Sequence, residues 1–136
     1  MSHYVGILEG SGDVWSIRIP DLLGCHGGGD TPDAAISDAI SAMTEWAATI
    51  IRDGFAIPAA RDVLAVMQDA EAEFNPASGE SIVMLPLLID RGRAVKANVS
   101  LDAGMLEAID AEAALRGMTR SAFLVSAARD KIVSRS

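Results

Sequence analysis

The segment His3-Tyr4-Val5-Gly6-Ile7-Leu8-Glu9-Gly10-Ser11-Gly12-Asp13-Val14-Trp15-Ser16-Ile17-Arg18-Ile19 decides how the chain begins to fold. Residues 14–19 alternate cleanly, which sets Trp15, Ile17 and Ile19 inward and leaves Ser16 and Arg18 outward. In the run before them, Val5 and Ile7 share one face. Between the two runs, Gly10-Ser11-Gly12-Asp13 carries turn chemistry, because glycine reaches positive φ freely and aspartate bonds to nearby backbone. The reading is a β-hairpin with one buried face. Pro20-Asp21 ends its second strand, and residues 22–29 are a glycine-rich return with room for a third strand.

Outward from the hairpin, a helix start is well marked. Thr31 can cap, Pro32 suits the first helical position, and Asp33 favours the positive end of the dipole. Ile36, Ala39, Ile40, Met43, Trp46, Ala47 and Ile50 recur at spacings of three and four, forming one apolar stripe, and Gly54 is a natural stop. About 20 residues make about 30 Å of helix, enough to cover a small sheet. Residues 55–60 form a connector containing Pro58. Residues 61–74 have helical character, with Val63, Leu64, Val66 and Met67 apolar, and Asn75-Pro76-Ala77-Ser78-Gly79 breaks the pattern. Residues 82–89 are apolar on both faces like a buried strand, with Pro86 pointing to an edge or a strand end.

Asp90-Arg91-Gly92-Arg93 reads as a linker, and from Ala94 the pattern starts afresh. Val95, Ala97, Val99 and Leu101 alternate with Lys96, Asn98 and Ser100, a strand with a polar outward face. Residues 102–116 are helical, with Met105, Leu106, Ile109 and Ala113 on one side and Gly117 closing. Thr119 caps a second helix bearing Ala122, Phe123, Leu124, Ala127, Ala128 and Ile132. These 43 residues (94–136) are too few for a self-sufficient core, so a dimer sharing one core is expected. The whole is an α+β chain: a front domain at 1–90, a linker at 91–93 and a tail domain at 94–136.

Composition bounds the function. The chain has 136 residues, half of them hydrophobic and 22% charged, which favours packed cores over disorder. Its net charge of −8 argues, as a total, against nucleic acid. Divided, residues 1–93 hold five basic and 14 acidic side chains, a net of −9, and residues 94–136 hold six basic and five acidic, a net of +1. The acidity belongs to the front. The single Cys25 excludes an internal disulfide and any multi-cysteine zinc site. Glu9, Asp13 and Arg18 interrupt the first twenty residues, and the longest apolar run, at 82–89, is far short of the roughly 20 residues of a membrane span. A soluble, cytoplasmic protein with no membrane partner is expected.

Several catalytic candidates are weak. Cys25 and His26 are neighbours that point oppositely on an extended chain, and the only other histidine is His3, so a structural or loop role is expected and no metal ligand set. Gly27-Gly28-Gly29 precedes a helix but lacks the lysine of a P-loop and the dinucleotide-binding spacing, so it reads as a flexible turn. Glu9, Asp13, Asp21, Glu45 and Asp62 could serve two metals only if several converged, and their order shows no such convergence. Trp15 and Trp46 read as core. No cofactor is implied.

The tail resembles a ribbon-helix-helix DNA-binding domain of the CopG and Arc kind. The resemblance rests on Lys96-Ala97-Asn98-Val99-Ser100-Leu101-Asp102, on Gly117-Met118-Thr119-Arg120-Ser121-Ala122-Phe123, and on the apolar spacing between them. It implies that two chains pair their strands into a ribbon in the major groove, with Lys96, Asn98 and Ser100 facing the bases. Lysine donates to guanine acceptors, asparagine can pair both ways with adenine, and serine is permissive. By the same likeness, amides opening the second helix hold a backbone phosphate around Thr119, Arg120 and Ser121.

The front resembles the antitoxin of a HicA–HicB toxin–antitoxin pair. The matching residues are Ile17-Arg18-Ile19-Pro20-Asp21-Leu22-Leu23-Gly24-Cys25 and Gly29-Asp30-Thr31-Pro32-Asp33-Ala34-Ala35, with the 54–58 connector and the 82–87 strand in the same order. Leu23 departs from the family's usual proline, and His26-Gly27-Gly28 is richer in glycine than its pattern. The resemblance implies a degraded ribonuclease-H-like front domain that covers a small basic mRNA-cleaving toxin, and a tail that binds operator DNA and represses the pair's own promoter. It implies a non-enzymatic protein, dimeric through the ribbon, with pairing into a tetramer left open. Two alternatives remain at this level: a stand-alone ribbon-helix-helix regulator whose front domain oligomerises or senses a ligand, and a metal-dependent nuclease.

Overall fold

Strands β1 (His3–Ser11) and β2 (Val14–Arg18) form the hairpin, in a computed structural model that describes residues 2–89 and 95–134. β3 (His26–Gly29) adds to β2, and β4 (Ser81–Pro86) adds to the far side of β1. All pairings are antiparallel and the strand order is β3-β2-β1-β4. Register assigns the faces, because directly opposed residues point the same way. Leu8 opposes Ile17, Tyr4 opposes Leu85 and Ile17 opposes Gly27, which places these on one face. Val5 opposes Met84, Ile7 opposes both Arg18 and Ile82, and Arg18 opposes His26, which fills the other.

The hairpin therefore differs from its expected form with one buried face. Tyr4, Val5 and Ile7 are all 3% exposed or less, so β1 is covered on both sides. The reason is its central position between β2 and β4, with a helical layer on each face.

Helix α1 (Pro32–Arg52) covers the first face. Thr31 caps it by accepting from the Ala34 amide at 3.0 Å, Pro32 occupies its first turn, and Gly54, at φ 83, follows its end. Ala35, Ile36, Ala39, Ile40, Met43 and Ala47 are buried beneath it. Full burial of side chains such as Ile17, Ile40 and Leu85 contributes about 1.5–3 kcal/mol each. Trp46 and Trp15 are only half-buried, a correction to their reading as core. Trp15 stands near the hairpin end, where its indole donates to the Gly12 carbonyl at 2.9 Å.

The glycine cluster is likewise not a flexible turn. It forms β3, and a Cβ at Gly27 would sit 2.5 Å from the Ala39 backbone nitrogen, so α1 and the sheet approach this closely only because no side chain intervenes.

On the second face, helix α2 (Val63–Gln68) and a 3₁₀ turn at Ala70–Ala72 bring Val66 and Ala72 against Val5, with Val63, Ile82 and Met84 at the margin. The expected helix over 61–74 is shorter because Asp62 caps its start and Asp69 interrupts it, accepting from the Glu71 amide at 3.0 Å. β4 is an edge strand and Pro86 is its last residue, as the proline implied.

The chain divides into two compact units, Met1–Arg91 and Gly92–Ser136. The expected linker, 91–93, with Asp90 and Ala94, lies outside the described residues. The second unit has α3 (Ala103–Leu115), capped by Asp102, and α4 (Arg120–Val133), capped by Thr119. Among its described residues only Ile109 and Ala113 are buried. Residues 95–102 carry no strand, against the expectation for this segment. A strand needs a ladder partner, and none of the described residues of this chain pairs here. Val95, Val99 and Leu101 consequently have no inward side and stand exposed, Val95 at 86%.

Candidate partner-binding surfaces

In the tail, Lys96, Asn98 and Ser100 are all exposed along the unpaired 95–102 segment. Thr119, Arg120 and Ser121 open α4 as expected. The Thr119 hydroxyl accepts from the Ala122 amide at 3.1 Å, and its carbonyl accepts from Phe123 at 2.9 Å. The next amides toward the helix start, those of Arg120 and Ser121, have no acceptor within the helix. Arg120 is committed elsewhere: its Nε and Nη2 donate to the two Asp110 carboxylate oxygens, both at 2.8 Å. The guanidinium holds the Asp110 carboxyl below the usual range. A sequence reading misses this pair because its members lie ten residues apart on different helices.

In the front unit the electrostatics are one-sided. Arg18 donates to Glu80 at 2.7 Å, Arg61 pairs with Asp21 at 2.7 Å and Asp69 at 2.9 Å, and Arg52 lies 3.6 Å from Asp53. Every described arginine of this unit is thus matched by a carboxylate. Asp13, Asp30, Asp33, Asp38, Glu45, Asp62, Glu71 and Glu73 make no ion pair with a described residue. Among the described residues the unit thus carries carboxylates that no described cation pairs, the kind of field that attracts positive charge.

Two concavities flank the loop between β2 and β3. One, about 290 Å³, is lined by Arg18, Pro20, Leu23, His26, Arg61 and Glu71 among others. The other, about 350 Å³, is open and borders Gly24, Cys25, His26, Glu45 and Trp46. Leu23 lines the first at 84% exposure, and Gly24 and His26 border both. Both concavities lie in the front unit; the first mixes apolar residues with Arg18, Arg61, Asp69 and Glu71, and the second carries the single carboxylate of Glu45 beside Trp46.

The catalytic candidates stay apart. Asp21 is held by the Arg61 amide and guanidinium, Asp62 caps α2, and Glu9 sits 3.8 Å from Arg18. Glu45 and Asp13 are exposed elsewhere, on α1 and at the hairpin turn. No group of three or more histidine, cysteine or acidic side chains among the described residues could hold a metal ion. Cys25 is buried, and burial pushes its thiol up, away from the reactive thiolate. His26 is exposed, so the two neighbours do point oppositely. No helix among the described residues is long and apolar enough to cross a membrane.

Comparison with known proteins adds the family. Among solved structures, the chain is similar to the antitoxin HicB of Burkholderia pseudomallei, at 26% identity and a TM-score of 0.55 over 97% of this chain and 99% of that one. A crystal structure of antitoxin HicB3 aligns at 26% identity and a TM-score of 0.52, over 98% and 99% of the two chains. A chain of a HicA3 and HicB3 toxin–antitoxin complex shares the fold at 19% identity and a TM-score of 0.51, over 65% of this chain and 99% of that one. No curated protein matches. A family model described as the HicB_like antitoxin of bacterial toxin–antitoxin systems matches residues 4–128, a span that takes in strands, helices and both units. The chain belongs to the HicB-like antitoxin family of bacterial toxin–antitoxin systems.

Proposed function

We propose that this protein is a non-enzymatic cytoplasmic antitoxin that neutralises a HicA-like, mRNA-cleaving toxin with its front unit and represses its own operon with its tail. The observation that carries the toxin-binding half is the internal neutralisation of the front arginines, which leaves a broad acidic surface for a basic protein. The helix-covered antiparallel sheet is compatible with a degraded ribonuclease-H-like origin, and the scattered carboxylates fit loss of nuclease chemistry. For the tail, two capped helices over a two-residue core, preceded by an exposed alternating segment, support a dimeric ribbon-helix-helix unit in which the second chain supplies the missing strand. In that unit Lys96, Asn98 and Ser100 face the bases, and a phosphate rests on the start of α4 around Thr119, Arg120 and Ser121.

The test is toxin neutralisation. Purified protein is mixed with the basic gene product encoded beside it and an mRNA substrate. Protection is expected at about one-to-one stoichiometry, with the acidic surface making association slower as salt rises. Full cleavage in the presence of excess protein would overturn the reading.

A further inference from the structure

The pair between Arg120 and Asp110 bears on how the tail would handle a nucleic acid. Arg120 is the first residue of α4, at the end where a backbone phosphate would sit, and a free guanidinium there would add one cation to that contact. Its fork is instead closed on the Asp110 carboxylate of α3 by two parallel bonds of 2.8 Å. This planar bidentate geometry matches arginine to carboxylate and leaves the couple formally neutral. The neighbouring Arg116 makes a single bond, from its Nε to Glu112 Oε1 at 2.9 Å, within one exposed helical turn. The helix pair otherwise has little to hold it, since Ile109 and Ala113 are its only buried residues among those described.

We propose that Asp110 is a positioning residue that withholds the Arg120 charge from DNA: the bidentate pair fixes the start of α4 against α3, and the phosphate is held by the α4 amides rather than by the Arg120 cation. The inference rests on the DNA-binding reading of the tail. To grip a phosphate with its Nε–Nη2 edge, Arg120 would have to abandon Asp110, and any approach through the remaining Nη1 would bring the Asp110 carboxylate up beside the polyanion. Like-charge repulsion then opposes the contact that the arginine would make.

The experiment measures binding of the full chain to a duplex carrying the promoter region upstream of its gene, and to a scrambled duplex, across a salt series. The slope of log affinity against log salt counts released counterions, at about 0.9 per phosphate neutralised. R120Q is expected to leave the slope at the wild-type value for both duplexes. D110N is expected to steepen it by about 0.9 per protomer and to tighten low-salt binding to both, because the guanidinium is freed and a carboxylate removed. A slope reduced by about 0.9 per protomer in R120Q overturns the proposal, and so does a D110N protein with wild-type slope and affinity. Circular dichroism checks folding; if R120Q does not fold, D110N decides. Wild-type protein that does not prefer the promoter duplex would instead overturn the underlying DNA-binding reading, a result separate from either variant's behaviour.

Discussion

Arg18 and Glu80 offer the sharpest test of how the front unit is held together. Arg18 projects from the second face of β2, and its Nη1 donates to Glu80 Oε2 at 2.7 Å. Its Nη2 donates to the Ala72 and Glu73 carbonyls at 3.1 and 3.0 Å, and Glu80 Oε1 also accepts from the Asn75 amide at 2.7 Å. One guanidinium and one carboxylate thus pin residues 72–80, including the left-handed Glu73 at φ 54, to the sheet. Glu80→Gln keeps the shape but removes the charge. Exposed pairs contribute under about 1 kcal/mol, whereas loss of one partner from a buried pair costs about 3–5 kcal/mol. Here the side chains are 8% and 29% exposed, so the pair lies between these limits and the expected loss is about 2 kcal/mol. For a domain of this size that lowers Tm by roughly 8–16 °C.

The pH dependence supplies a second, independent reading. The Arg18 bond, with help from the Asn75 amide, holds the Glu80 carboxyl down from its ordinary 4.5 to about 2. A depressed carboxyl pKa contributes stability that is fully present above the unfolded value and is lost as pH falls toward the folded one. The advantage of wild type over E80Q should be constant from pH 7 to about pH 5 and then shrink, most of it gone by about pH 2.5. Urea unfolding followed by Trp15 and Trp46 fluorescence, both in the front unit, measures it at each pH. A difference below about 0.5 kcal/mol at pH 7, or one that persists unchanged into acid, would refute the reasoning.

Two further outcomes are expected. Gly27→Ala forces a methyl to within 2.5 Å of α1 backbone and should cost about 3 kcal/mol, while Gly28→Ala, whose Cβ meets only the Trp15 carbonyl at 3.5 Å, should be much milder; equal unfolding midpoints would show that the close approach does not matter. Lys96→Ala combined with Asn98→Ala should abolish promoter binding in a gel-shift assay yet leave toxin binding intact by calorimetry, and weakened toxin binding would show that the two functions are not separable.

The parts of the fold visible in sequence are those set by local chemistry. Thr31-Pro32, Asp102 and Thr119 start helices because a hydroxyl or carboxylate satisfies an amide three residues on, a relation contained within one turn. The β1–β2 hairpin follows from alternation around Gly10 to Asp13. What sequence missed depends on contacts at long range. Nothing local distinguishes Gly27 as a packing residue rather than a loop residue, since its meaning comes from Ala39 on α1. The Arg18–Glu80 and Arg61–Asp21 bonds join residues 62 and 40 positions apart, so neither spacing nor composition announces them. The 95–101 strand fails for a different reason. Its alternation is real, but an alternating segment becomes a strand only when another segment pairs with it, and a single chain offers none among its described residues.

Net charge divides in the same way between local and distant information. Counting side chains separates an acidic front from a near-neutral tail, but only ion pairing says which charges can act on a partner. In the front, pairing consumes the described cations and leaves many carboxylates, so the local field is more one-sided than the count implies. In the tail, pairing removes Arg116 and Arg120, leaving Lys96, Arg129 and Lys131 as the described cations without an ion pair. These three described charges could release only a few counterions, far short of what a strongly basic DNA-binding surface provides. In the proposed DNA-binding mode, discrimination would therefore rest on short-range contacts of Lys96, Asn98 and Ser100 with base edges, and doubling those contacts through a second chain would matter more than adding charge. A net acidic chain is thus no obstacle to the proposed DNA-binding role, because the charge that such a tail would use is set locally and not by the total.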